Sequence, residues 1–294
     1  MFFRKIVSLG LGLMVSLIAV NGVAQNAANP LIQKSEEAFN SQRWKSAGTL
    51  YELLLKDSIH YTPYMAKALL ANELAADETS TSRANELFMR NRFRMDSLLQ
   101  DFSRLCIRLR HFDVFEESLG RMRKIMPENS DTLLYGMAKY RLFLREPQDV
   151  IRLAQIGQKE YPGNPTWLHL EANGWQLLGK SEKALPVYQR LLKVNPHDLE
   201  ALLFEGNYYY LEGKAKMKQL EAEYEAKPAL SRIEYAAYRA RVQAILDNEF
   251  AQATLFLEQA NEINPNSTVA NTLYEIYVLK SEVEKANKVK RRAK

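Results

Sequence analysis

The sequence predicts an all-α fold, a solenoid of about seven helix pairs plus a C-terminal helix. Three observations predict it. The chain of 294 residues has only 12 Gly and 10 Pro, and its long stretches of Ala, Leu, Glu, Lys, Arg and Gln favour helix over strand. No segment shows the strict apolar–polar alternation of a half-buried strand. Two segments, Trp167 to Lys180 and Ala201 to Lys214, align without a gap at an offset of 34. A fixed period of that length is the mark of stacked helical units. With 47% hydrophobic and 26% charged residues, the chain is too apolar for a disordered segment.

Residues 1–24 read as a signal peptide. Arg4 and Lys5 open it, Ile6 to Val20 is apolar apart from Ser and Gly, and Gly22-Val23-Ala24 offers a cut before Gln25. The run is short for a spanning helix; the alternative is an uncleaved membrane anchor. No cysteine lies near the cut, which argues against a lipid-anchored form. The formal net charge of +5 is misleading. Arg4 and Lys5 leave with the signal, and the segment 285–294 holds Lys285, Lys288, Lys290, Arg291, Arg292 and Lys294 without an acid. The body between them is therefore mildly acidic and offers no global footprint for nucleic acid.

Residues 25–284 carry the repeats. In the two aligned segments Leu168 matches Leu202, Glu171 matches Glu205, Ala172 matches Gly206, Asn173 matches Asn207, Trp175 matches Tyr209 and Gly179-Lys180 matches Gly213-Lys214. Pro162 and Pro196 precede them. The second helix of the better repeat has Ala184 and Tyr188 and closes at Pro196. This pattern resembles the tetratricopeptide repeat, with departures at Glu171, where Leu is usual, and Leu191, where a small residue is usual. The resemblance implies a right-handed superhelix of the exported bacterial type. Elsewhere Trp44, Phe112 and Phe250 open second helices. Ala47 with Tyr51, Ala84 with Phe88 and Ala253 with Leu257 follow, and Pro127 and Pro265 close repeats. The repeat between Ser97 and Pro127 diverges, with Ser103 and Cys106 where small and aromatic residues are expected. The polar run Asp77 to Ser82 reads as a turn. The repeat from Leu199 decays after Gly213, and its second helix lacks the Ala and the aromatic.

The motifs of catalysis are missing: there is no glycine-rich phosphate loop, no HExxH and no Cys-x-x-Cys. His60, His111, His169 and His197 fall in different repeats, and Cys106 is the only cysteine. No metal site and no cofactor are expected, and Cys106 reads as a buried structural thiol. Trp175, Tyr209, Tyr188 and Tyr51 fall on packing positions. The resemblance implies that first helices line a concave groove. The residues at groove positions are His169, Asn173, Gln176 and Leu177 in one repeat and Leu203, Asn207, Tyr210 and Leu211 in the next. Tyr135 and Lys139 upstream, and Tyr238 and Val242 downstream, are further matches. A carboxylate clamp would need Lys or Arg where His169 and Leu203 stand, so that activity is not carried over.

These residues point to a non-catalytic adaptor or scaffold of the bacterial cell envelope, periplasmic or at the cell surface, that binds a protein or peptide. The alternative is a carbohydrate- or cell-wall-binding module, which would need a solvent-facing aromatic platform among Tyr210, Tyr235 and Tyr238. The basic tail 285–294 reads either as a frayed last helix whose cations suit its negative end or as a contact to an anionic membrane or acidic partner. Asp57-Ser58-Ile59, Asp96-Ser97-Leu98 and Asp131-Thr132-Leu133 resemble acceptor sites of bacterial O-glycosylation; the simpler reading is helix caps.

Overall fold

A computed structural model describes residues 30–57, 62–227 and 231–292. The signal segment and part of the first acceptor tripeptide lie outside the described residues. Every regular element among the described residues is helical, and no described helix is long and apolar enough to cross a membrane. The contacts divide the chain into two compact units, one ending at Tyr140 and one beginning at Arg141.

The first unit contains α1 (Pro30–Asn40), α2 (Trp44–Asp57), α3 (Thr62–Ala75), α4 (Glu78–Arg90), α5 (Met95–Leu109), α6 (Phe112–Ile125) and most of α7 (Ser130–Phe143). Each pair closes on an apolar stripe. Phe39 of α1 meets Trp44 and Tyr51 of α2 edge to face at 5.4 and 5.9 Å. On α3 the small residues Ala66, Ala68 and Ala71 are buried beside Leu69 and Leu70, so neighbouring helices approach closely on several sides. An aromatic series then links successive helices, Phe88 to Phe102 to Phe115 to Tyr140, with ring centroids 6.0, 5.4 and 4.6 Å apart. Cys106 is fully buried, as its helical position predicts, and burial pushes its thiol pKa up. The run from Asp77 is not an open turn. Asp77 is the N-cap, its carboxylate accepting from the Ser80 amide at 3.0 Å, and Glu78 to Ser82 already belong to α4.

The second unit holds the end of α7, then α8 (Pro147–Glu160), α9 (Thr166–Leu177), α10 (Ser181–Val194), α11 (Leu199–Glu225), α12 (Arg232–Asp247), α13 (Glu249–Ile263), α14 (Ser267–Leu279) and α15 (Val283–Arg292). Leu168, Ala172, Ala184, Val187, Tyr188, Leu191 and Ala201 form one core cluster, with Trp175 half-buried against it; it contains the predicted Leu168, Ala172, Ala184 and Tyr188.

The pairing after Leu199 differs from the sequence reading. Gly179 ends α9 in the left-handed region at φ 68°, but at the matching Gly213 the helix runs on, through a stretch rich in Lys, Ala, Glu and Leu. Gly213 serves close approach instead, since a Cβ there would fall 3.0 Å from the Phe250 ring, and one on Gly206 would lie 2.6 Å from Leu257 Cγ. Phe250 and Leu257 belong to α13, so α13 is the second helix that α11 seemed to lack. Ala253 and Leu257 stand where Ala184 and Tyr188 stand one repeat earlier. The distal half of α11 and the whole of α12 are a helical hairpin inserted into this repeat. Only Leu246 is buried on α12. The hairpin is tied by Arg241–Glu223 at 2.7 Å, Lys227–Glu234 at 3.0 Å and a capping box between Ser231 and Glu234.

The predicted tail boundary at residue 285 falls inside α15. Ala286 is buried and Val289 packs against the cluster of Phe250, Leu257, Leu273, Ile276 and Tyr277. The segment is thus a packed second helix facing α14, and Lys285, Lys288 and Lys290 lie exposed beside its apolar stripe.

Candidate functional site

Two first helices of the second unit, α9 and α11, carry most of the predicted binding residues. Polar bonds connect them from one repeat to the next. His169 on α9 places Nε2 3.0 Å from Asp198 Oδ2 and Nδ1 3.3 Å from Glu200 Oε2. Asp198 is held in position as the N-cap of α11, accepting from the Ala201 amide at 3.0 Å. The hydrogen bond to Glu200 is the main force raising the His169 pKa against the pull of burial, and the same bond holds Glu200 below the ordinary carboxylate value. Gln176 donates to the Tyr188 hydroxyl at 2.5 Å, which donates to Glu200 at 2.8 Å. Burial, then the Glu200 charge, pushes the Tyr188 hydroxyl pKa up. His169 and Gln176 are therefore engaged as a latch between repeats.

Further along, the Tyr210 hydroxyl donates to the Glu275 carboxylate of α14 and accepts from Lys214 Nζ at 3.3 Å. Its ring meets Phe250 edge to face at 6.2 Å. Leu203 is half-buried against the α13–α14 cluster. Asn173 is half-buried and Asn207 exposed, and neither makes a side-chain bond among the described residues. Tyr238 is not on a first helix. It sits on the inserted α12, 4.7 Å from the Tyr224 ring and 6.4 Å from Tyr235, so it does not join the other six. The sequence placed it in the wrong register because α12 was read as the first helix of its own repeat.

Beside the free amides runs an apolar series. Phe143, Leu177 and Leu211 are 67%, 53% and 61% exposed, and they are spaced 34 residues apart. Leu279, also exposed, ends α14 in the same way that Leu177 ends α9. Leu177 and Leu211 were legible as groove matches. Phe143 was not singled out, although the 34-residue count reaches it.

The two matched glutamates behave oppositely. Both are buried. Glu171 receives Gln155 at 3.1 Å, Gln158 at 2.9 Å and Arg190 at 2.6 Å. Burial alone would raise its pKa, but these amides and the guanidinium outweigh it and hold the carboxyl below the ordinary value. Counting 34 residues on from Gln155 and Gln158 gives Gln189 and Leu192, and the match of Ala184 with Ala253 puts Gln259 where Arg190 stands. Glu205 thus lacks a guanidinium, its Oε1 has no hydrogen-bond partner, and burial lifts its pKa to about 7.

Among the described residues no cluster of three or more His, Cys, Asp and Glu side chains is placed to hold a metal ion. No family profile and no curated protein matches the chain. Solved structures do. A crystal structure from Bacteroides ovatus, of a protein called protein-binding by name alone, superimposes with a TM-score of 0.51 at 21% identity, covering 76% of this chain and all of that one. A Bacteroides fragilis protein described as TPR repeats matches at 15% identity with a TM-score of 0.40, over 85% of this chain and 97% of its own. The fold is that of the tetratricopeptide repeat. Within TPR geometry the apolar series and the two asparagines fall on the face of the first helices, and the inserted hairpin interrupts one repeat between its two helices.

Proposed function

We propose that this chain is a non-catalytic adaptor of the cell envelope whose second unit binds a protein or peptide on the first-helix face. The observation that supports the reading most is the exposed series Phe143, Leu177 and Leu211 beside the unbonded amides of Asn173 and Asn207. Apolar side chains held at a regular spacing on a rigid scaffold supply anchors, and free amides can bond an extended backbone. His169, Gln176, Leu203 and Tyr210 lie on the same two helices, α9 and α11, as Leu177 and Leu211.

The test begins with a photoreactive residue in place of Leu177 or Leu211, which should crosslink a polypeptide in living cells. The partner so identified should bind Leu177→Asp/Leu211→Asp about 10- to 1,000-fold more weakly, the range of hot-spot losses, while helicity is retained. Equal binding by wild type and variant would refute the reading. Export is tested separately: the mature chain should begin at Gln25 outside the cytoplasm, and intact Met1 on cytosolic protein would count against it.

One observation supports the carbohydrate alternative. Tyr235 is exposed and stacks on Tyr238 with an interplanar angle of 28°, giving the inserted hairpin a solvent-facing aromatic pair. Binding of cell-wall fragments that is lost in Tyr235→Ala but kept in the Leu177/Leu211 variant would favour it.

A further inference from the structure

The edge of the first unit formed by the ends of α4 and α6 carries an unusual turn. The sequence Arg90-Asn91-Arg92-Phe93-Arg94 joins α4 to α5 through one turn of 3-10 helix, Arg92–Arg94. Phe93 is 86% exposed. It is not a frayed side chain on a loose loop. The turn is pinned by the Asn91 side-chain amide donating to the Leu87 carbonyl at 2.7 Å, and the Arg92 guanidinium lies 4.6 Å from the Phe93 ring centre. Asn129 donates to the Arg92 carbonyl at 3.4 Å, so the neighbouring turn after α6 lies alongside. Met89 and Arg90 are exposed at the end of α4, and Lys124 and Ile125 are exposed at the end of α6. Arg90 reaches Glu86 at 3.2 Å in a pair exposed on both sides, which is screened and weak.

A lone exposed aliphatic needs no explanation, and basic last turns suit helix C-termini. Neither accounts for a phenylalanine thrust outward from an ordered turn made of arginines. We propose that this edge docks on an anionic lipid surface, with Phe93 entering the headgroup–acyl boundary and Arg90 and Arg92 meeting the phosphates. The chemistry favours lipid over a protein partner. A fluid interface accepts a single protruding ring, whereas a protein would need a pocket shaped for it. Apolar side chains ringed by long cations are the interfacial pattern, with the cations reaching outward to the headgroups. The contact is independent of the first-helix face and of the basic helix α15.

The experiment is flotation of the full-length mature chain with phosphatidylcholine vesicles, with and without about one-third phosphatidylglycerol. The wild type should float with the anionic vesicles at low salt and be released as salt rises. Phe93→Ala should weaken partitioning about tenfold, the loss expected for one buried phenylalanine side chain. Arg92→Gln should weaken it less and reduce the salt dependence, while circular dichroism stays unchanged in both. Lys288→Gln/Lys290→Gln should leave the Phe93 effect in place. The proposal is overturned if the wild type ignores anionic vesicles, or if Phe93→Ala binds as tightly as wild type. It is also overturned if a photoreactive residue at position 93 crosslinks a polypeptide and no lipid in cells, which would assign the edge to a protein partner.

Discussion

Replacing Glu205 by leucine should stabilise the second unit, and by an amount that depends on pH. The carboxyl is 2% exposed, has no partner at Oε1, and titrates at about 7 against an ordinary value of 4.5. In the folded state it is held neutral longer than in the unfolded chain. Its contribution is therefore most favourable below pH 4.5 and is lost progressively as pH rises to about 7. A shift of that size corresponds to about 3 kcal/mol lost above pH 7, an upper bound because the helices can relax to admit water. Leucine is the residue usual at this place in the repeat and removes the titration altogether. Glu205→Leu should thus match wild type more closely near pH 4.5 and exceed it by up to about 3 kcal/mol at pH 8. Since two units need not unfold together, the readout is hydrogen exchange of the α11 and α13 amides, supported by denaturant melts. Glu171→Leu is the control of opposite sign. It strands the amides of Gln155 and Gln158 and the Arg190 guanidinium and should cost about 2 kcal/mol at neutral pH. The wild-type Glu171 contribution is present above pH 4.5 and fades as pH falls below it. A Glu205→Leu effect that is destabilising at pH 8, or that does not change between pH 4.5 and 8, would refute the argument that an unpaired carboxyl is buried there.

Truncation after Glu284 should lower the melting temperature and raise exchange in α14, because it removes Ala286 and Val289 from the face they cover; an unchanged melt would show that α15 contributes nothing to packing. Excising residues 214–248 should leave α11 and α13 paired, since Gly206 and Gly213 pack directly on Leu257 and Phe250; loss of the folded second unit would show that the hairpin is part of the core. Cys106 should resist thiol reagents in the native protein and react on unfolding, as its burial and raised pKa require; rapid native labelling would contradict the packing of α5.

The sequence alone determined the helix-pair architecture, because the period of 34 and the small and aromatic residues at fixed places are local requirements of helix packing. Ala184 and Tyr188 had to meet a neighbour across a close contact, and the structure puts them in the core. It also placed Cys106 inside its helix bundle and Leu177 and Leu211 on an open face. Pairing partners distant along the chain were decided only in three dimensions. A glycine after a helix reads as a stop, yet Gly213 lies inside α11 because Phe250 needs its missing side chain. That one contact moves α13 into the vacant second-helix place and turns α12, with Tyr238, into an insertion. The matched glutamates make the same point about charge. Glu171 and Glu205 are identical in type and register, and the residues that separate their protonation lie on other helices. Glu171 has the Arg190 guanidinium beside it and Glu205 has only burial, a difference that exists only once the helices have packed.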